Sequence, residues 1–461
     1  MCGIIGIINN DEVNVKLFYS LISLQHRGQD AAGMITSQGN ELFVRKDLGL
    51  VQEIFNIDNI TKFKGNIGIG QTRYSTIGSA SKENSQPLFI NSNDKIALAH
   101  NGNVTNYTEL KELLAKQHIF FTTTVDLEPV LHLFTIRYNE TKDFFEAAKY
   151  IMQTIKGAYS IVGIIAGKGL FAIRDPHGIR PLALGKKNDT YAFASESIVF
   201  QTLEYEFVRD IAPGEAVFIH DKTLDVESRI LLQKEKAHCM FEWIYFSRPE
   251  SMIEERAVYK SRLALGVTLA EKLKGEDIDV VIPVPDTARS CAIKLAEELG
   301  VKYREGLIKN RYVGRTFIMP SQTSRKYTMN IKLAVIISVV RDRIVAVVDD
   351  SVVRGTTSKR IIKLLRDAGA KKIIFISSCP PIKHPCFYGI DMSTPEELIA
   401  NNKTIEETRK FIGADKLIYT EVDDLKKAIR RDLCCACLNG KYPVELSTEE
   451  KSFFVDDKKF R

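Results

Sequence analysis

The chain has 461 residues, 44% of them apolar and 26% charged, with 64 Lys and Arg against 58 Asp and Glu for a formal charge of +6. That balance excludes a disordered, collagen-like or low-complexity chain. The mild positive charge permits an anionic substrate without calling for nucleic acid.

Residues 1–5, Met1-Cys2-Gly3-Ile4-Ile5, lack both a basic region and a long apolar stretch, so they do not read as a signal peptide. Short apolar runs at residues 4–8, 67–70, 96–99, 159–165, 170–173 and 216–219 predict strands, and residues 15–24, 107–116, 127–137 and 144–155 carry helical spacing. Strands interspersed with paired helices predict a layered α+β domain. After residue 250 the rhythm changes to helix 258–273, strand 279–284, helix 288–299, strand 344–348, helix 358–368 and strand 372–377. That alternation predicts a parallel α/β sheet. The polar stretch 221–238 divides the chain into expected domains 1–230 and 231–461. The longest apolar run, 333–340, stops at Arg341-Asp342-Arg343. It falls well short of the ~18 residues a membrane helix needs, so no membrane association and a cytoplasmic location are expected. The charged tail from Thr448 is expected to fray.

Cys2 directly follows Met1. If Met1 is removed, the thiol gains a neighbouring α-amine with an ordinary pKa of about 7.7–8.0. That amine is a usable base at neutral pH and can activate the thiol as a nucleophile.

The surrounding text, Cys2-Gly3-Ile4-Ile5-Gly6-Ile7, resembles the opening of the N-terminal-nucleophile glutamine amidotransferases. Further matches follow in order: Gln25-His26-Arg27-Gly28-Gln29-Asp30-Ala31-Ala32-Gly33, Thr72-Arg73-Tyr74-Ser75-Thr76, His100-Asn101-Gly102-Asn103 and Asp126. The resemblance implies an αββα glutaminase domain. Their chemistry is coherent. Arg73 offers a charged fork for the α-carboxylate of glutamine and Asp126 a carboxylate for its α-ammonium. Asn101 and the amide of Gly102 are candidates to stabilise the oxyanion.

In the second half, the strand 344–348 ends in Asp349-Asp350, followed by Ser351-Val352-Val353-Arg354-Gly355-Thr356-Thr357-Ser358 and a helix. Strand ends of a parallel sheet carry ligands. A Gly/Thr/Ser loop opening a helix presents amides and hydroxyls to a phosphate. Two carboxylates before it can hold ribose hydroxyls directly or through Mg²⁺. This pattern resembles the phosphoribosylpyrophosphate (PRPP) motif of type I phosphoribosyltransferases. Thr287, in Pro285-Asp286-Thr287-Ala288, matches a metal-associated hydroxyl of that family. The basic segment holding Lys309, Arg311, Arg315 and Lys326 resembles the loop that folds over PRPP. Beyond it, Met329-Asn330-Ile331-Lys332-Leu333-Ala334 keeps Lys332 where some members read Val-Arg-Arg-Lys-Leu-Asn.

Together these matches resemble the glutamine PRPP amidotransferase family. The resemblance implies ammonia transfer from glutamine to PRPP at the first step of purine biosynthesis, a homotetramer, and feedback by purine nucleotides. Other readings are a glutamine amidotransferase with a different acceptor, or a PRPP-sensing regulator. The regulator would have no use for Cys2, Arg73, Asn101 and Asp126.

Of the eight cysteines, seven remain to be read. Cys291 and Cys379 sit in apolar elements and are expected to be small core residues. Cys239, Cys386 and the pair Cys434-x-x-Cys437 make a four-thiol set that suits Fe–S or zinc equally by chemistry. Family resemblance favours a 4Fe–4S cluster. Cys435, inside the pair, is read as a spare thiol.

Overall fold

The computed structural model describes residues 1–310, 333–392 and 394–459, with side chains described to residue 455 at the C-terminal end. In the first strand, Gly3–Ile8, every residue is buried. Period-2 alternation sorts its side chains between two layers. Ile4 and Ile8 pack between two sheets, while Ile5 and Ile7 pack beneath the helix Asn14–Ser23.

The larger, antiparallel sheet has seven strands, in the order Glu206–Asp210, Ala183–Lys187, Thr190–Ala194, Gly3–Ile8, Ile67–Arg73, Ala31–Gln38, Glu41–Leu48. The other, also antiparallel, has six: Val226–Ile230, Glu215–His220, Gly169–Arg174, Gly157–Ile165, Ile96–Val104, Leu88–Ile90. Leu127, Val130 and Phe134 of the helix Leu127–Thr141, with Ile151 of Phe144–Thr154, cover the outer face of the six-stranded sheet. The layers are therefore helix, sheet, sheet, helix, as expected.

The second half holds a parallel five-stranded sheet ordered Lys302–Tyr303, Val280–Pro283, Ile344–Asp349, Lys372–Ser377, Lys416–Tyr419. Its strands are buried on both faces. Ala346 and Val348 face the helices Val258–Leu273 and Arg289–Leu299. Val345 and Val347 face Thr356–Asp367 and Ile405–Ile412.

Several expectations need correcting. Seven strands of the two antiparallel sheets carry no expectation from the sequence, among them Ala31–Gln38, Ala183–Lys187 and Thr190–Ala194. These are rich in Ala, Gly, Ser and Lys and owe their extension to pairing. The apolar run 333–340 is divided between the strand Leu333–Val335, paired with Leu307–Lys309, and a helical turn Ile337–Val340. The tail does not fray. It forms the helix Thr448–Lys459, whose Phe453 stacks on Tyr107 at 5.6 Å and whose Phe454 meets Phe387 at 5.5 Å. Aromatic contacts to both halves hold this otherwise charged segment. Among the described residues no helix is long and apolar enough to cross a membrane.

Candidate active sites

Cys2 lies just ahead of the central strand Gly3–Ile8 and is buried. Its Sγ is 3.6 Å from the carbonyl of Tyr74, and its backbone N–H donates to Asn101 Oδ1 at 3.2 Å. That nitrogen becomes the α-amine when Met1 is removed, so base and nucleophile are already held on either side of one α-carbon. With Met1 attached, burial lowers the Met1 amine to about 6.

Asn101 and Gly102 lie in the strand Ile96–Val104. Asn101 Nδ2 is buried with no hydrogen-bond partner. A buried amide donor left unpaired is costly, and a developing oxyanion would satisfy it. Gly102 has φ +149°, and a Cβ there would lie 1.9 Å from the carbonyl oxygen of Ala158, so only glycine fits. The backbone of Gly389, from the second half, reaches the same spot. A Cβ on Gly389 would stand 2.9 Å from the carbonyl carbon of Gly102.

Arg73 ends the strand Ile67–Arg73 and donates to the carbonyls of Ile77 at 2.9 Å and Ser79 at 3.2 Å, which braces the following loop. Asp126 precedes the helix Leu127–Thr141 and accepts from the N–H of Val104 at 2.8 Å, with His100 Nε2 at 3.3 Å. A Cβ on Gly78 would lie 2.6 Å from Thr124 Oγ1, so the loop braced by Arg73 lies against the turn that carries Asp126.

In the second half, Asp349 is the last residue of Ile344–Asp349, in register with Ser377 on the next strand. Its carboxylate accepts the N–H of Asp350 at 2.9 Å, and Ser351 donates to Asp350 Oδ1 at 2.7 Å. Burial pushes both carboxyls above the ordinary range, and the charge of Asp350 adds to the effect at Asp349. Two crowded buried acids fit a site that receives a cation or sugar hydroxyls.

Gly355 caps the helix Thr356–Asp367 at φ +73°. Thr356 and Thr357 are exposed in its first turn and Ser358 is buried. The first-turn amides of such a helix suit an anion. Arg354 pairs with Glu397 at 3.1 Å. Thr287 lies in the turn after Val280–Pro283, the strand beside Ile344–Asp349. Lys309 reaches that same turn, 3.7 Å from Asp286. Thr287, Asp349, Asp350 and the Gly355 loop therefore share one end of the sheet. Arg311, Arg315, Lys326 and Lys332 lie outside the described residues.

The four candidate cluster cysteines come from three distant segments. Cys239 and Cys434 stand opposite each other in a short parallel ladder. The N–H groups of Lys383 and His384 donate to the carbonyl of Cys437 at 2.9 and 3.0 Å, which draws the Cys386 loop to that residue. Burial, with neighbouring thiols adding, pushes Cys434 and Cys437 well above the usual thiol range, and Cys239 to about 11. Cys291, Cys379 and Cys435 are buried core residues. Among the described residues no three His, Cys, Asp or Glu side chains converge as a single-ion site.

Motif reading assigns no role to Arg180 and Glu196, which lie outside any pattern, or to Glu242 and Asp391, which flank Cys239 and Cys386 in sequence. Arg27 and Tyr74 lay inside the quoted motifs but carried no assigned role.

Residues 71–202 match a family model described as a glutamine amidotransferase domain, and residues 261–393 match a phosphoribosyl transferase domain. The chain is 44% identical over 470 residues to the amidophosphoribosyltransferase of Methanocaldococcus jannaschii, across 98% of this chain and 99% of that one. It is 43% identical over 466 residues to the amidophosphoribosyltransferase of Escherichia coli, across 96% and 92%. A solved structure of glutamine PRPP amidotransferase from Bacillus subtilis, complexed with ADP and GMP, matches with TM-score 0.91 at 41% identity, over 97% of this chain and 98% of that one. A second structure, described as the allosteric regulatory enzyme of purine biosynthesis, matches with TM-score 0.92 at 41% identity over 97% of each chain.

Proposed function

The chain belongs to the amidophosphoribosyltransferase family, and from that premise we propose how its residues divide the work. The reaction converts glutamine, PRPP and water to 5-phosphoribosylamine, glutamate and diphosphate, the first step of purine biosynthesis.

In the N-terminal half, the α-amine of processed Cys2 takes the thiol proton and the sulfur attacks the glutamine amide carbon. Asn101 Nδ2 and the amide of Gly102 meet the oxyanion, while Arg73 and Asp126 hold the glutamine carboxylate and ammonium. Collapse returns the proton to the departing ammonia, and water then releases glutamate from the thioester. In the C-terminal half, Asp349 and Asp350 hold the ribose hydroxyls of PRPP. Arg354, Gly355, Thr356, Thr357 and Ser358 hold its phosphate. Lys309 and, outside the described residues, Arg311, Arg315, Lys326 and Lys332 are the cations assigned to neutralise the diphosphate. Ammonia displaces that diphosphate at the anomeric carbon. Thr287, Asp349 and Asp350 suit Mg²⁺, which when bound supplies positive charge to the leaving group.

The observation that carries this reading is the contact of Gly389 with Gly102, which brings the second half to the wall of the glutaminase site. PRPP bound on the second half is therefore expected to raise glutaminase activity and to join the two sites by an internal ammonia path. The test is the glutaminase rate with and without PRPP. Equal rates would overturn the coupling.

The thiol set fits a 4Fe–4S cluster, in which each cysteine meets a different iron, better than zinc, which draws four ligands to one point. A polycationic centre would also supply the positive charge that the buried thiolates of Cys239, Cys434 and Cys437 need. No redox step exists in the reaction, so the cluster's role is structural. All eight cysteines are free thiols, which suits a reducing, cytoplasmic compartment. The reading extends to a homotetramer and to purine nucleotides as feedback inhibitors, in keeping with the ADP and GMP bound to the Bacillus subtilis enzyme.

A further inference from the structure

Four charged side chains, none more than 1% exposed, lie together where the two halves meet: Arg27, Arg180, Glu196 and Glu242. Two charges of each sign leave the group neutral, the condition under which buried ions persist. Arg27 Nε donates to the carbonyl oxygen of Cys2 at 3.0 Å. Its Nη1 donates to Glu196 at 2.5 Å and to Glu242 at 3.1 Å, and its Nη2 to Glu242 at 2.8 Å. Arg27 and Glu196 belong to the first half. Glu242 belongs to the second, in the helical turn Glu242–Phe246.

Arg180 carries the contacts outward. Its Nε donates to the carbonyl of Tyr388 at 2.7 Å, and its Nη2 donates to the same oxygen. Its Nη1 lies 3.7 Å from Glu242 and, among the described residues, has no hydrogen-bond partner. The residue before it, Ile179, accepts the N–H of Cys239 at 3.1 Å, and the N–H of Tyr388 points to Cys386 Sγ at 3.4 Å. Arg180 is thus flanked by two of the four thiols.

We propose that Arg180 and Glu242 are positioning residues, a strap that ties the placement of Cys2 to the four-thiol site through consecutive contacts: Cys239 and Cys386, Arg180, Glu242, Arg27, the Cys2 carbonyl. Its outer end rests on the cluster reading given above; its inner end does not. Thiolates holding a cluster add counter-charge beside Arg180, whose Nη1 pairs with Glu242 at 3.7 Å. Glu242 then serves Arg27, and Arg27 fixes the nucleophile.

The test uses the full chain with Glu242→Gln and with the pair Arg180→Met/Glu242→Gln, which removes one charge of each sign and keeps the buried group neutral. Ammonia-dependent phosphoribosylamine formation should stay within about twofold of wild type in both. The kcat for glutamine should fall about tenfold or more with its KM nearly unchanged, and alkylation of Cys2 by iodoacetamide should slow in step. An unchanged glutamine kcat in both variants overturns the strap. A parallel loss of glutamine and ammonia activities in both also overturns it, because a folding defect explains that pattern. Iron and sulfide content judges the outer end separately. Iron-free, active wild-type protein defeats the cluster reading, and the strap's inner end still stands or falls on the kcat of Glu242→Gln.

Discussion

Tyr74 donates its phenolic hydrogen to Asp391 Oδ2 at 3.1 Å, while its own carbonyl oxygen sits 3.6 Å from the Cys2 thiol. One residue therefore touches the nucleophile through its backbone and the second half through its side chain. Together with the approach of Gly389 to Gly102, this makes the glutaminase wall a joint product of both halves. A shift of residues 385–392 would reach Cys2 through covalent geometry and one hydrogen bond.

Cys2→Ala should abolish glutamine use and leave ammonia-dependent synthesis, because the acceptor site lies on another sheet. Asn101→Ala should lower glutamine-dependent kcat by about 10²–10³, the usual effect of losing one oxyanion donor. Steady-state rates with glutamine and with ammonium salts check both. Full glutamine activity of Cys2→Ala would refute the nucleophile.

Asp350→Asn should weaken glutamine- and ammonia-dependent synthesis together, since both need PRPP. Truncating a buried, charge-paired contact costs about 2–5 kcal/mol. The readout is the PRPP concentration dependence of each reaction. Unchanged PRPP kinetics would remove Asp350 from the site.

Cys437→Ser should give cluster-free or insoluble protein, and Cys435→Ser should not. Anaerobic purification with iron and sulfide analysis distinguishes the two. Stoichiometric zinc without iron in active protein would refute the Fe–S assignment. Exposure to oxygen should release the cluster and lower the unfolding temperature, because metal bound only to the native state stabilises that state.

Asp210 provides a pH test away from the active sites. Burial and the Glu254 carboxylate raise its carboxyl from 3.8 to about 7, against the pull of Arg174. The native state thus keeps a proton that the unfolded chain releases. This favours folding fully below the unfolded pKa and is lost as pH rises through about 7. Asp210→Asn cannot ionise, so it should stabilise the protein by about 1–3 kcal/mol at pH 8.5, with a smaller gain at pH 5. Urea midpoints at the two pH values measure it. A gain that does not shrink on acidification would show that Asp210 is not the titrating group.

The chemistry in short stretches was legible without coordinates. Cys2, Arg73, Asn101, Asp349 and Gly355 each sit in a local pattern whose residue types suit the chemistry proposed for them. The parallel sheet was equally legible, because strands buried on both faces must be apolar throughout, as in Ile344–Asp349. Ala31–Gln38 was not legible. It opens on the small residues Ala31-Ala32-Gly33 and has only Ile35 and Thr36 as β-branched residues, and it is a strand because Ile67–Arg73 and Glu41–Leu48 pair with it. The buried charges were not legible either. Arg27 meets Glu242 across 215 positions of sequence, and Arg180 meets the carbonyl of Tyr388 across 208. A lone Glu or Arg reads as surface until a fold removes it from water. Only the tertiary structure brings its counter-charge, since electrostatic pairing depends on distance in space and has no period along the chain.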